Sequence, residues 1–242
     1  MTSTTRRRAV FFDLDDTLYD HLIPFRAALI NLLGTKEGFP YEQAYHRMRY
    51  YSDALSAELG GTPTHGEELH QMRRQRFRLA LAEFGLSITP EQAQAVQEEY
   101  LSLQYAIELF DGVEELITEL KARNFVVGII TNGPPDHQMN KVNALALTRL
   151  IPEKLIYISG AVGFTKPDKR LFSHVTEQLS LAPENCCYIG DSWRNDVVGA
   201  LDAGWKVLWF NHRSVKPESE HQPHHEVTGY PEISKVLLSD YL

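Results

Sequence analysis

Acidic side chains are grouped in two short segments that lie far apart in the sequence. One reads DLDDT from Asp13 onward, and the other reads GDSWRND and contains Asp191 and Asp196. Carboxylates placed as closely as Asp13 and Asp15 repel each other unless a cation neutralises the pair. Mg²⁺ suits this position, because it prefers oxygen ligands and often joins one or two carboxylates to a phosphate group. The predicted Mg²⁺ site therefore has these members: Asp13, Asp15, Asp191 and, as a supporting carboxylate, Asp196.

Two further segments add a hydroxyl group and a cation. Thr131, Asn132 and Gly133 follow an apolar run, and glycine lets backbone amides approach an anion closely. Lys166 precedes a proline, which fixes the local chain and can present the ammonium group to a phosphate. Taken singly, each segment has a structural alternative: a turn or helix cap for the threonine, and a solvent-exposed side chain for the lysine.

Apolar runs that predict buried strands precede three of these segments. Strands are predicted over residues 9–12, 125–130, 155–159, 187–189 and 206–210. Helical patterns alternate with them, which favours an α/β fold with a Rossmann-like, doubly wound parallel sheet. The loops at the carboxyl ends of parallel strands line the ligand crevice in such sheets. We therefore expect the acids, the hydroxyl group and the ammonium group to meet there.

A long stretch of helical periodicity interrupts the alternating pattern. Four amphipathic helices are predicted, over residues 24–33, 41–59, 64–84 and 90–107. Thr64 begins a possible capping box, and Pro90 occupies the first turn of the fourth helix. These helices predict a four-helix bundle, inserted as a cap at residues 19–107 into a catalytic core formed by residues 1–18 and 108–242.

The composition excludes several classes of partner. The 242-residue chain has a formal net charge of −8, which argues against nucleic acid or an anionic membrane surface. No apolar run reaches the roughly 20 residues of a membrane-spanning helix. Cys186 and Cys187 are neighbours in a predicted strand, so they point to opposite faces and are not expected to form a disulfide. This cysteine usage predicts a reducing, cytoplasmic location. Nothing in the sequence indicates the oligomeric state.

The order of the four segments, together with the inserted bundle, resembles the haloacid dehalogenase superfamily. The resemblance covers essentially the whole chain and is closest to phosphatases with a helical C1-type cap, including 5′-nucleotidase-like members. It implies that Asp13 is the nucleophile that forms an aspartyl-phosphate, and that Asp15 is first the general acid and then the general base. It also implies that Thr131 and Lys166 bind the phosphoryl oxygens.

The resemblance extends to the metal site and to the substrate class. Mg²⁺ would be held by the side chains of Asp13 and Asp191 and by the backbone carbonyl of Asp15, with Asp196 in support. Thr131, with Asn132 and Gly133 beside it, would line the phosphate site. The implied activity is Mg²⁺-dependent hydrolysis of a small phosphomonoester, such as a nucleoside monophosphate or a sugar phosphate.

Three other functions compete with this interpretation. A 2-haloacid dehalogenase uses the same nucleophile, but a halide leaves without a proton, so an acid at Asp15 favours phosphate chemistry. A phosphomutase would share the aspartyl-phosphate. A non-catalytic binding module would have lost the nucleophile or a metal ligand, and both types of residue are present.

Two groups of polar residues in the remaining sequence have weaker interpretations. Four arginines of the predicted bundle are suited to a second anionic group of the substrate, although solvated helix faces explain them better: Arg47, Arg49, Arg73 and Arg74. Residues 211–230 are rich in histidine and proline and predict no helix or strand. Their histidine spacing fits no standard metal site, so a solvated loop is favoured.

Overall fold

Six strands form one sheet in the computed structural model, which describes residues 7–60, 63 and 65–239. The strands are β1 (Ala9–Phe12), β2 (Val126–Thr131), β3 (Ile156–Ile158), β4 (Cys186–Gly190), β5 (Lys206–Phe210) and β6 (His225–Val227). Every pairing is parallel, in the order β3-β2-β1-β4-β5-β6. The α/β fold and its parallel sheet are thus confirmed.

The position of β1 between β2 and β4 explains where the chemical groups meet. Ala9 is in register with Val126 on one side and with Cys186 on the other. All residues of these three strands are buried, as expected for a parallel sheet covered on both faces. Each strand ends at the same edge, so the loops that follow them lie side by side.

Two compact units share the described chain. The first contains the described residues of Met1–Tyr19, Glu108–Gln138 and Ala146–Leu242, and the second contains those of Asp20–Ile107 and Met139–Leu145. The helices that lie wholly in the first unit are α5 (Val113–Ala122), α7 (Ser159–Val162), α8 (Lys169–Leu179), α9 (Gly199–Asp202) and α10 (Tyr230–Leu238). Helix α6 (Pro135–Ala144) begins in the first unit and ends in the second.

Four helices make up most of the second unit: α1 (Leu22–Leu33), α2 (Tyr41–Glu58), α3 (Gly66–Ala82) and α4 (Pro90–Leu103). Their core is aromatic, and the rings of Phe25 and Phe77 stack with centroids 5.9 Å apart. Helix α4 begins as predicted, with Thr89 forming a capping box with Gln92. The capping box predicted at Thr64 lies outside the described residues.

The C-terminal part of the first unit differs from the sequence-based prediction. Strand β6 and helix α10 were not predicted, because β6 has only three residues and buries only Val227 fully. A short amphipathic pattern of this kind is hard to distinguish from a loop. Helix α9 is preceded by a π-helical turn at Trp193–Val198, capped by the hydroxyl group of Ser192. Within the described residues, no helix has the length and apolar character needed to cross a membrane.

Candidate active site

Asp13 is the first residue after β1, and its side chain is buried. Its backbone N–H donates to the carbonyl oxygen of Ile189 in β4, at 2.9 Å. This bond extends the sheet pairing by one residue and fixes the direction of the loop. The side chain is therefore held at the carboxyl edge of the sheet, where the sequence predicted it.

Lys166 is the cation of the site, and it is 4% exposed. Its Nζ donates to Oδ1 of Asp13 at 2.7 Å and to Oδ1 of Asp196 at 2.6 Å. The third donor reaches the phenol oxygen of Tyr188 at 2.9 Å, and that phenol donates to the carbonyl of Ile130. An ammonium group has three protons, so all of them are used inside the protein.

Asn132 holds the backbone of the lysine loop. Its side-chain Nδ2 donates to the carbonyl of Lys166, and the N–H of Lys166 donates to its Oδ1, both at 2.9 Å. This pair of bonds uses both polar ends of the amide. Asn132 therefore links the loop after β2 to the loop that carries Lys166. It fixes the backbone position from which the lysine side chain extends.

Burial and charge act against each other on the buried pair. Burial raises the pKa of Asp13 to about 7, helped by the negative charges of Asp196 and Asp15, although Lys166 opposes the shift. Burial alone would lower the pKa of Lys166, but the carboxylates of Asp13 and Asp196 outweigh it and raise that pKa. The ammonium group therefore stays charged at neutral pH.

Three carboxylates form one acidic group. Asp13, Asp191 and Asp196 each place an oxygen within 4.8 Å of the others. Asp196 uses one oxygen for Lys166 and the other for the N–H of Ser192, at 2.9 Å. With all groups ionised, the three carboxylates and the one ammonium group carry a net charge of −2.

The all-oxygen donor set and the uncompensated negative charge fit a hard divalent cation such as Mg²⁺. Asp196 is committed to Lys166 and to the backbone, so it fits a supporting role. Gly190 makes this packing possible, since a Cβ atom at that position would lie 2.4 Å from Oδ2 of Asp196.

Asp15 has a different environment from the acidic group. Its Oδ1 accepts a hydrogen bond from the phenol of Tyr19, and its Oδ2 accepts one from Nε2 of Gln138 at 3.0 Å. The same Nε2 donates to Oγ1 of Thr131 at 2.6 Å. Both amide protons of Gln138 are thus used, and the Thr131 hydroxyl group keeps its own proton for donation.

Gly133 has a structural use in the loop after β2. Its φ is 145°, and a Cβ atom there would lie 3.0 Å from Cγ of Gln138. Its N–H donates to Oγ of Ser159 at 3.0 Å. Glycine at this position therefore allows Gln138 to approach Thr131 and Asp15 closely.

Sequence reasoning missed several residues of the site. Gln138, Tyr188 and Ser159 are ordinary residues of predicted elements, and no sequence signal distinguishes them. Asp16, which has a φ of 63°, accepts two hydrogen bonds of 2.8 Å from the guanidinium group of Arg213. Arg213 belongs to the stretch predicted as a solvated loop, so that prediction was wrong here: the segment fastens the first acidic loop.

Comparison with known proteins identifies the family. Residues 7–204 match the family described as haloacid dehalogenase-like hydrolase. The phosphoserine phosphatase of Thermus thermophilus is 31% identical over 234 residues, which cover 87% of this chain and 91% of that protein. The N-acylneuraminate-9-phosphatase of Mus musculus is 28% identical over 247 residues, covering 97% of this chain and 95% of that protein.

Solved structures share the same fold. The magnesium-bound HAD-hydrolase YfnB of Bacillus subtilis is 25% identical, with a TM-score of 0.73, covering 96% of this chain and 99% of its own. The L-2-haloacid dehalogenase RSc1362 is 18% identical, with a TM-score of 0.74, covering 97% of this chain and 100% of its own, a likeness of fold alone. Since the family match extends over residues 7–204, this chain belongs to the haloacid dehalogenase-like hydrolases and is an enzyme.

Proposed function

We propose that the chain hydrolyses small phosphomonoesters through an aspartyl-phosphate on Asp13, with Mg²⁺ as cofactor. The observation that carries this proposal is the environment of two carboxylates. Asp13 is buried against an ammonium group, whereas Asp15 lies outside the acidic group and accepts hydrogen bonds from neutral donors. Two carboxyl groups in different environments are suited to the separate tasks of nucleophile and proton donor.

In the first step, a carboxylate oxygen of Asp13 attacks the phosphorus atom and the bond from phosphorus to the ester oxygen breaks. Asp15 gives its proton to the departing oxygen, so the alcohol leaves neutral. Thr131 donates its remaining proton to a phosphoryl oxygen. Lys166 has no unused proton, so a phosphoryl oxygen must share or replace one of its present acceptors.

In the second step, water attacks the phosphorus atom of the aspartyl-phosphate. Asp15, now deprotonated, takes a proton from that water, and the bond between phosphorus and Asp13 breaks. Phosphate is released, Asp13 returns to its carboxylate form, and Asp15 returns to its protonated form. Splitting the hydrolysis in this way lets one carboxyl group act as acid and then as base.

Mg²⁺ would be held by the side chains of Asp13 and Asp191 and by the backbone carbonyl of Asp15, with Asp196 in support. When bound, it supplies charge neutralisation for the carboxylates and for the phosphoryl oxygens that approach them. The magnesium-bound YfnB supports this choice of ion. Asp196 orients Lys166 and the loop at Ser192 rather than the ion itself.

The substrate class follows from relatives and from the helical unit. The two phosphatases compared above are named for small phosphorylated metabolites, which supports a small phosphomonoester. Nucleoside monophosphates and sugar phosphates are both small phosphomonoesters and are candidate substrates within this class. We assign substrate selection to residues 19–107, as the cap of the enzyme, and the catalytic steps to residues 1–18 and 108–242.

A phosphate-release screen tests the proposal. Purified protein is incubated with nucleoside, sugar and amino-acid monophosphates, with Mg²⁺ or with a chelator. Phosphate should be released from at least one compound, only with the metal, and the product should not be a positional isomer of the substrate. Halide release from 2-haloacids without any phosphate release would instead establish a dehalogenase. Product isomerisation without hydrolysis would establish a phosphomutase.

A further inference from the structure

Two arginines of α3 stand apart from the other charged residues of the helical unit. Arg76 is partly buried, and its Nη1 donates to Oγ of Ser52 at 3.1 Å. Its Nη2 donates to Oε1 of Gln97 at 2.8 Å. Both acceptors are neutral, and the buried Nε atom has no hydrogen-bond partner among the described residues. The charge of Arg76 thus has no carboxylate bonded to it in the part of the chain that the structure describes.

Arg73 lies one helical turn before Arg76 and adds a second positive charge. It is also partly buried, and it makes no hydrogen bond or ion pair with any residue from 7–60, 63 or 65–239. Burial lowers the pKa of Arg73, and burial together with the charge of Arg73 lowers the pKa of Arg76 to about 10. We call Arg73 and Arg76 the arginine pair.

More exposed arginines of the same unit do have carboxylate partners. Arg47 pairs with Glu83 at 2.6 Å, and Arg74 pairs with Glu67 at 2.5 Å. Buried charges are normally the ones that must be paired, because removal from water costs far more than a surface position. The helical unit shows the reverse, because the arginine pair has no carboxylate bonded to it among the described residues.

Two aromatic rings of the helical core lie close to the guanidinium group of Arg76. The guanidinium group of Arg76 lies 5.5 Å from the ring centre of Phe77 and 5.8 Å from that of Tyr100. The phenol of Tyr100 is hydrogen-bonded to Nε2 of His21, at 2.9 Å. Phe77 and Tyr100 are buried in the core of the helical unit, so the guanidinium group of Arg76 lies against an apolar aromatic environment. His21 is the second residue of the helical unit, and Tyr100 belongs to α4 of the same unit.

We propose that the arginine pair binds the carboxylate of a small organic molecule. A guanidinium group matches the two coplanar oxygens of a carboxylate. A singly charged anion also costs less to bring among aromatic rings than a doubly charged phosphate. Two sources share this chemistry: a phosphomonoester substrate that carries its own carboxylate, which rests on the proposed function, and a separate carboxylic acid that regulates the protein.

Two compounds that differ only in the carboxylate test the proposal: O-phosphoserine and phosphoethanolamine. The Asp13→Asn variant is used for binding, by calorimetry and thermal unfolding, so that catalysis does not interfere. O-phosphoserine should bind at least about tenfold more tightly, as one bidentate charged contact predicts. Adding Arg76→Met or Arg73→Met should abolish that preference. Arg74→Met, whose arginine already pairs with Glu67, should keep it.

The two sources are separated by free serine and free succinate. Stabilisation of the full chain by these acids, lost in Arg76→Met and Arg73→Met, would identify a separate effector. A carboxylate preference confined to phosphorylated compounds would identify the substrate. Equal binding of both phosphorylated compounds together with no effect of the free acids, or a preference that survives both substitutions, would overturn the proposal. Binding is measured without turnover. The carboxylate preference can therefore be determined even if the wild-type protein shows no phosphatase activity.

Discussion

The acidic centre (Asp13, Asp191, Asp196 and Lys166) and the arginine pair bury charge of opposite sign in opposite ways. In the acidic centre, one ammonium group donates to two carboxylates and a phenol. At the arginine pair, the described hydrogen bonds of Arg76 reach only neutral oxygen atoms. The first region is compensated in part by the ammonium group of Lys166 and retains a net negative charge, while the second retains both of its positive charges.

This difference shows what each region needs from a ligand. The acidic centre needs a cation to neutralise the remaining carboxylate charge, and its groups are already held in place by hydrogen bonds. The arginine pair needs an anion and is less constrained, because Arg73 makes no hydrogen bond to the described residues. A preorganised centre is suited to chemistry, whereas a charged pair awaiting its partner is suited to recognition.

The largest effect is expected at the nucleophile. Asp13→Asn should lower kcat/KM for phosphate release by at least about 10⁴-fold, the size of loss found when a member of a catalytic group is removed. The fold should be kept, since asparagine can still accept the hydrogen bond of Lys166. Steady-state kinetics and thermal unfolding check both statements. Asp111→Asn, at an exposed position, is the matched control. Residual activity near that of the wild type would eliminate the aspartyl-phosphate.

The next effect tests compensation in the acidic centre directly. Lys166→Met should lower the free energy of unfolding by about 3–5 kcal/mol, because it leaves buried carboxylates without their counter-charge. Denaturant unfolding in the absence of Mg²⁺ measures it. Lys169→Met changes an exposed lysine nearby and should stay within about 0.5 kcal/mol. A loss below about 1 kcal/mol for Lys166→Met would mean that the centre is not held by this ion pair.

The third expected effect is smaller and concerns the stabilisation of the fold by bound Mg²⁺. Mg²⁺ at about 100 times its Kd should stabilise the fold by about 2.7 kcal/mol, an effect that a chelator reverses. Asp191→Asn should weaken the apparent affinity and with it the stabilisation, whereas the exposed Asp202→Asn should not. Thermal unfolding at constant ionic strength separates binding from screening. Identical Mg²⁺ stabilisation in Asp191→Asn and the wild type would remove Asp191 from the metal site.

Gln138 offers a test of how far preorganisation extends. Gln138→Leu removes the donor to both Asp15 and Thr131 and should lower kcat by about 30-fold, the loss of two hydrogen bonds of about 1 kcal/mol each. The loss should be larger for an alkyl phosphate than for p-nitrophenyl phosphate, whose leaving group needs less help from an acid. Gln178→Leu, an exposed position, is the control. Equal losses on both substrates would show that Gln138 does not act through Asp15.

The same contrast explains what the sequence could predict. Parallel strands are marked by continuous apolar runs, and the chemical residues follow them directly, so the placement of Asp13 and Thr131 at one edge was predictable. The partners that orient these groups were not. Gln138 reaches Asp15 from a helix 123 positions later, and Arg213 reaches Asp16 across 197 positions, in a stretch without periodicity.

The arginine pair shows a different limit of sequence reasoning. Arg73 and Arg74 are neighbours in one helix and were interpreted alike, as parts of a solvated face. The structure separates them, since Arg74 pairs with Glu67 of the same helix and donates to Gln94 of α4, while Arg73 has no bonded partner among the described residues. Arg76 was not among the arginines singled out from the sequence, yet it is more deeply buried than Arg73. Charge alone therefore did not reveal which arginine lacks compensation.

The smallest expected effect is that of Arg76→Met on stability. It is also the most direct test of the contrast between the acidic centre and the arginine pair. Arg76→Met removes a buried charge whose described partners are neutral, so it leaves no counter-charge behind. The loss of two hydrogen bonds to neutral groups is offset by relief of desolvation and of repulsion from Arg73. The free energy of unfolding should therefore change by less than about 1 kcal/mol, far less than for Lys166→Met.

Denaturant unfolding of Arg76→Met and Lys166→Met under identical conditions measures this contrast. Arg47→Met, which breaks an exposed pair with Glu83, provides the scale for a surface interaction of at most about 1 kcal/mol. If Arg76→Met instead costs as much as Lys166→Met, a buried counter-charge must accompany Arg76. The charges of the arginine pair would then be compensated within the chain, and they would no longer indicate a ligand.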